Sequence, residues 1–255
     1  MLSSKRIIDL SVPLSTDHPC GWPGHPSLQI EGHWFDDRQV PYAHQSISLD
    51  EHTGTHFDAP AHFIPPAGSD LYDGPGKHVT SDQVPLEACI GPARVIDARS
   101  AISTTLGESA WIDPSYVERA VEQHGALHTG DVILFYTGWS DAHYRPGDDG
   151  SAFVADPLAG KCAGWPALSP ETIVEVADAG VSAIGIDTPT LGAVQDSFGP
   201  HLAALERGLV VVEELVGLGE LPAVGALFIF LPLKLVGGTG APGRAIALVE
   251  ENVDG

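Results

Sequence analysis

The sequence predicts an α/β fold built on a mixed β-sheet, and three observations carry that expectation. Nine short runs rich in Val, Ile and Phe recur along the chain, each bounded by Gly, Pro, Asp or Ser. Helix-start signals are fewer, and none falls in the first ninety residues. Between residues 133 and 215, strand and helix patterns alternate, the order of βαβ units and parallel pairing.

Strands are expected at 6–12, 27–32, 44–49, 93–98, 131–137, 181–187, 209–215, 225–231 and 244–250. The first ninety residues are therefore rich in strands and loops. A first helix opens at Asp113-Pro114-Ser115, with Asp113 as N-cap, Pro114 at the first helical position and Gly125 as the stop. Ser169-Pro170-Glu171 opens a second helix that ends near Gly180. A third is expected to start after Pro200 and end at Gly208. No repeat and no linker divides the chain, so residues 1–255 read as a single domain.

Composition supports a packed core: 43% of residues are apolar and 18% charged, which excludes a disordered or collagen-like chain. Twelve Lys and Arg against 34 Asp and Glu leave a net charge of −22. Such a surface repels nucleic acid and anionic lipid, which bind basic faces. Cys20, Cys89 and Cys162 are widely spaced without a C-x-x-C pair, so neither a disulfide framework nor a thiolate zinc site is expected. The N-terminus lacks a signal-peptide h-region, and the apolar stretch 225–236 is interrupted by Pro232 and Lys234. A cytoplasmic location is expected.

The chemistry lies in His52-Thr53-Gly54-Thr55-His56-Phe57-Asp58-Ala59-Pro60-Ala61-His62. Positions 52, 56, 58 and 62 differ by even numbers, so an extended chain points them to one side. The two threonines and the glycine argue against a helix. Pro60 has no N–H to donate and should end the strand, turning His62 back toward the others. Two imidazoles and a carboxylate form the ligand set of a catalytic zinc or manganese site with positions open to water.

This segment, His-x-Gly-Thr-His-x-Asp-x-Pro-x-His, resembles the signature of the cyclase-like metal-dependent hydrolases, which include kynurenine formamidase (arylformamidase) and isatin hydrolase. Further segments also resemble that family: Ile8-Asp9-Leu10-Ser11, Trp22-Pro23-Gly24, Tyr136-Thr137-Gly138-Trp139, Gly185-Ile186-Asp187-Thr188-Pro189, Leu231-Pro232-Leu233-Lys234 and the run 237–244. The resemblance implies a swivelling β/β/α-type fold, a homodimer or homotetramer, and a small amide or lactam substrate.

It also implies a second metal. In the formamidases a His and a Glu twelve positions apart join the shared aspartate, and His201 and Glu213 have that separation here. By similarity, isatin hydrolases carry Gln at that place and bind one manganese. The retained carboxylate favours two ions per subunit, zinc or manganese. Without the resemblance, His201 reads as a helix-surface residue and Glu213 as a strand-end charge. Glu214 stands where the family usually has Asn.

A divalent ion lowers the pKa of water and polarises a carbonyl, which suits attack on an amide, formamide or lactam carbon. His62 occupies the family's catalytic-histidine position and is expected to carry the proton from the attacking water to the leaving nitrogen. Trp22, Phe57, Phe63, Trp139 and Trp165 are candidate substrate walls, with Trp22 preferred because it sits in a Cys-Gly-Trp-Pro-Gly loop. Two other readings remain at this point: a cyclase or dehydratase acting without net hydrolysis, and a non-catalytic metal-binding protein. The run 238–243 matches G-x-G-x-x-G, but a Pro and a following strand replace the helix that a dinucleotide site needs.

Overall fold

The computed structural model describes residues 5–33 and 42–250. Strands β1 (Lys5–Asp9), β2 (Gln29–His33), β3 (His44–Ser48) and β4 (His56–Asp58) come first, followed by β5 (Ile90–Asp97) and β6 (Trp111–Ile112). Helix α1 (Pro114–His124), β7 (Val132–Tyr136), α2 (Trp139–His143), α3 (Ala155–Leu158) and β8 (Ala167–Leu168) form the middle. The last third holds α4 (Pro170–Asp178), β9 (Ala183–Ile186), α5 (Phe198–Leu205), β10 (Val210–Glu213), β11 (Val224–Pro232) and β12 (Gly240–Glu250). Each strand-like run of the sequence overlaps one of these strands.

The main sheet runs β1-β12-β11-β5-β7-β9-β10-β4, and β4 also pairs with the start of β12. That extra pairing closes every strand except β1 into a barrel. β5, β7, β9 and β10 are parallel, as the alternation of strand and helix implied, and the other pairings of this sheet are antiparallel. The sheet is mixed, as expected.

Period-two alternation sorts the side chains. Val132 and Leu134 join Phe57, Val212, Phe228 and Phe230 in one cluster that draws on every barrel strand and fills its inside. Their neighbours Ile133 and Phe135 point outward and pack with Ile184, Val211, Ile173, Val176 and Ala204 beneath α4 and α5. β7 is buried on both faces, which explains its unbroken apolar run Val-Ile-Leu-Phe.

The helix caps follow the sequence. Asp113 accepts from the Ser115 N–H, and the Ser169 hydroxyl accepts from that of Thr172. The third helix departs from expectation: α5 begins at Phe198 and takes in Pro200, instead of starting after it. Proline fits there because the first turn's N–H groups have no intrahelical acceptor. Among the described residues no helix is long and apolar enough to cross a membrane.

Candidate metal centre

The site forms on the outer face of the barrel, where β4 lies between β10 and β12. In the antiparallel β4–β10 pair, Glu213 stands opposite His56 and Val211 opposite Asp58. Phe57 points into the barrel, so His56 and Asp58 point out beside Glu213. α5 packs on this face and brings in His201. His56, Asp58, His201 and Glu213 are all buried.

His52 arrives by a different route from the extended run that even spacing suggested. Only 56–58 is strand, and the chain reaches it through a bend in which Gly54 takes a φ of 61°. Pro60 does end the strand, and a single 3-10 turn, Pro60–His62, carries His62 back to the site.

Two donor groups share Asp58: His52, His56 and Asp58, and Asp58, His201 and Glu213. Within each, the donor atoms lie within 4.8 Å of one another. The imidazole tautomers are set by their other nitrogens. His56 donates from Nδ1 to the Gly54 carbonyl (2.7 Å), leaving Nε2 to face Asp58 Oδ1 (3.6 Å) and Glu213 Oε2 (3.5 Å). His201 donates from Nδ1 to the Ser197 carbonyl (2.6 Å), and its Nε2 lies 3.2 Å from Glu213 Oε1 and 3.5 Å from Asp58 Oδ2. His52 turns Nδ1 to Asp58 Oδ1 (2.9 Å) and Nε2 to the Thr239 hydroxyl (3.1 Å), which in turn donates to Glu51. Such outer partners orient metal-binding histidines.

The electrostatics fit a cation. Burial alone would raise the Asp58 carboxyl, but His62 and His52 outweigh it and hold it well below the carboxylate range. Burial would lower His201, yet the Glu213 hydrogen bond and charge push it up to about 9. Among the described residues the ion-pair partners of Asp58 and Glu213 are all histidines. Three imidazoles with assigned second hydrogen bonds and two buried carboxylates make a donor set suited to divalent metal.

His52, His56, His201 and Glu213 of this cluster line a cavity of about 370 Å³ together with His62, Trp22, Phe63 and Glu214. His62 belongs to neither donor group. Its ring lies over that of His52, 4.1 Å between centroids, and burial pushes it down to about 4, so it is neutral at pH 7. Trp22 reaches the cavity and meets Trp165 edge to face. Phe63 stacks flat on His201 at 4.7 Å. The other aromatic candidates serve packing: Phe57 and Trp165 are fully buried in the core, and the Trp139 indole donates to the Phe153 carbonyl.

His201 is buried, against its plain reading as a helix-surface residue. Glu51, Ser197 and Thr190 support the site without having stood out in the sequence, and Thr239 does so from the family-like run 237–244. Gly240 faces Asp58 across the β4–β12 pair and leaves the space that the His52 ring fills. For Thr239 and Gly240 the one local signal was the Gly-Thr-Gly triplet, which strand pairing brings to His52.

The sequence profile of the family described as putative cyclase matches residues 8–193, well over half of the chain. The chain belongs to that family. An isatin hydrolase of Roseibium aggregatum is 32% identical over 226 residues, 84% of this chain and 78% of the relative. A kynurenine formamidase of Salinibacter ruber is 31% identical over 236 residues, covering 88% and 89% of the two chains. Among solved structures, isatin hydrolase A from Labrenzia aggregata bound to benzyl benzoate superposes with a TM-score of 0.78 at 30% identity, covering 97% of this chain and 95% of the other. An isatin hydrolase bound to the product analogue thioisatinate gives 0.80 at 25% identity over 97% and 94%. As a member of the cyclase family, the chain thus shares its fold with metal-dependent hydrolases over nearly its whole length.

Proposed function

We propose that this chain, as one domain, hydrolyses the C–N bond of a small linear or cyclic amide with two divalent ions, zinc or manganese. His52, His56 and Asp58 would hold one ion, and Asp58, His201 and Glu213 the other. The observation that carries this reading is the pair of donor groups sharing Asp58 at a cavity that also contains an unligated histidine. When bound, the metal supplies Lewis acidity, lowering the pKa of a water and polarising a carbonyl.

The remaining work falls to the protein. No hydrogen bond to another described residue occupies the His62 ring nitrogens, which leaves them open to water and substrate. His62 takes a proton from the attacking water and passes it to the leaving nitrogen. Trp22 and Phe63 give the ring of an aryl formamide or a lactam an apolar wall. Relatives named for both activities support these two substrate classes, with N-formylkynurenine and isatin as the type compounds.

We place the protein in the cytoplasm as a homodimer or homotetramer. A hydrolysis screen of aryl formamides, lactams and cyclic imides with zinc-loaded and manganese-loaded protein tests the activity. Product mass reads the reaction, since hydrolysis adds one water. Tight metal binding with no turnover across that panel would refute the enzyme assignment, and turnover without added water would favour cyclase or dehydratase chemistry.

A further inference from the structure

Glu214 is a buried carboxyl without a partner. It is 5% exposed, and its Oε2 is fully enclosed with no hydrogen bond from any described residue. It is also the one described non-glycine residue with a positive φ, at 54°. That region costs an L-residue roughly 1–2 kcal/mol. Leaving a buried acceptor unsatisfied costs about 1–3 kcal/mol more. No described residue satisfies that oxygen.

The strain has a geometric consequence. Consecutive strand residues point to opposite faces, so the residue after Glu213 should turn away from the cavity. The left-handed backbone at Glu214 breaks that alternation, and both carboxyls line the same cavity. The backbone is pinned in this state from two sides: the Glu214 N–H donates to the Thr188 carbonyl (3.0 Å), and its carbonyl accepts from the Thr55 hydroxyl (2.6 Å). Glu214 is outside both donor groups, so metal does not explain it. Among the described residues no lysine or arginine lines the cavity, and none pairs with Glu214. Oε2 is closed off from the cavity, so Oε1, which likewise has no hydrogen bond to a described residue, is the oxygen that can meet a hydrogen-bond donor arriving with the ligand.

We propose that Glu214 is a specificity-determining residue whose carboxyl accepts the N–H of the amide being hydrolysed. This rests on the amide-hydrolase reading. An amide bound with its carbonyl at the donor cluster carries its N–H one bond from the reacting carbon, and Glu214 directly follows the proposed ligand Glu213. The residue thereby selects amides with an N–H over esters, whose bridging oxygen has no proton to donate.

The test compares an aryl formamide with the matching aryl formate ester. The ratio of their kcat/KM values is taken within each variant, so partial metal loss cancels. Glu214→Met should reduce the amide-over-ester ratio about 10–100-fold relative to wild type, the range of one hydrogen bond to a buried carboxyl. Glu214→Gln keeps an acceptor and should hold the ratio within a few-fold. Glu214→Ser, too short to reach the cavity, gives the same reading as Met if the Met variant does not fold. An unchanged ratio in the Met or Ser variant, with both substrates slowed alike, overturns the proposal and leaves hydrolysis standing. Absence of formamide turnover by the metal-loaded wild type overturns the hydrolase reading and this inference with it.

Discussion

Gly240→Ala adds one methyl group at the point where β12 passes His52. The backbone φ at Gly240 is not in the left-handed region, so alanine is not strained by conformation and the effect is steric. A Cβ there would stand 2.5 Å from His52 Cε1, 2.9 Å from its Nδ1 and 2.7 Å from the Phe57 carbonyl oxygen. Ordinary contact needs about 3.5 Å, so the ring must retreat by about 1 Å. That shift moves Nδ1 off Asp58 and Nε2 off Thr239. A misplacement of about 1 Å typically costs on the order of 10²-fold in rate, and overpacking costs about 1–3 kcal/mol of stability. Metal content after dialysis, kcat and the unfolding midpoint should all fall. Thr239→Val reaches the same ring without added bulk, removing only the hydroxyl between Nε2 and Glu51, and should weaken metal affinity about 10–100-fold. Full metal occupancy in both variants, with kcat within about threefold of wild type, would show that the His52 position is not set by β12.

His62→Ala should keep its metal and lose roughly 10²–10⁴-fold in kcat, the range for removing one general acid–base; loss of metal instead would make His62 a ligand. Glu213→Gln should lower metal stoichiometry from two ions toward one by elemental analysis, with the His52, His56 and Asp58 group still filled; two retained ions would place the second elsewhere. Asp187 gives a pH signature away from the proposed ligands. Burial pushes its carboxyl up to about 7, against hydrogen bonds from the Thr137 N–H and hydroxyl and the Gly138 N–H. A raised folded-state pKa contributes stability that is complete below the unfolded value of 3.8 and is lost as pH rises through about 7. The loss is on the order of 4 kcal/mol at most. Denaturation midpoints of chelated wild type should therefore fall between pH 5 and 8.5, and those of Asp187→Asn should fall less; parallel profiles would mean that Asp187 is already ionised at pH 5.

The sequence by itself determined the donor chemistry and the local geometry. His56 and Asp58 share a face because they are two apart in a strand. Pro60 turns His62 because it cannot donate to a ladder. Asp113 and Ser169 start helices because their side chains satisfy free N–H groups. Those causes act within a few residues, so one-dimensional spacing records them. Tertiary structure decided the rest. The second pairing of β4, with β12, closes the barrel and sets Gly240 and Thr239 against His52. Burial of His201 depends on α5 packing over β10, and the exposure expected from its helix alone did not survive that packing. The direction of Glu214 follows from a left-handed backbone pinned by Thr188 and Thr55. Strand partners and register join residues more than 150 positions apart, and no local period encodes which strand edge meets which.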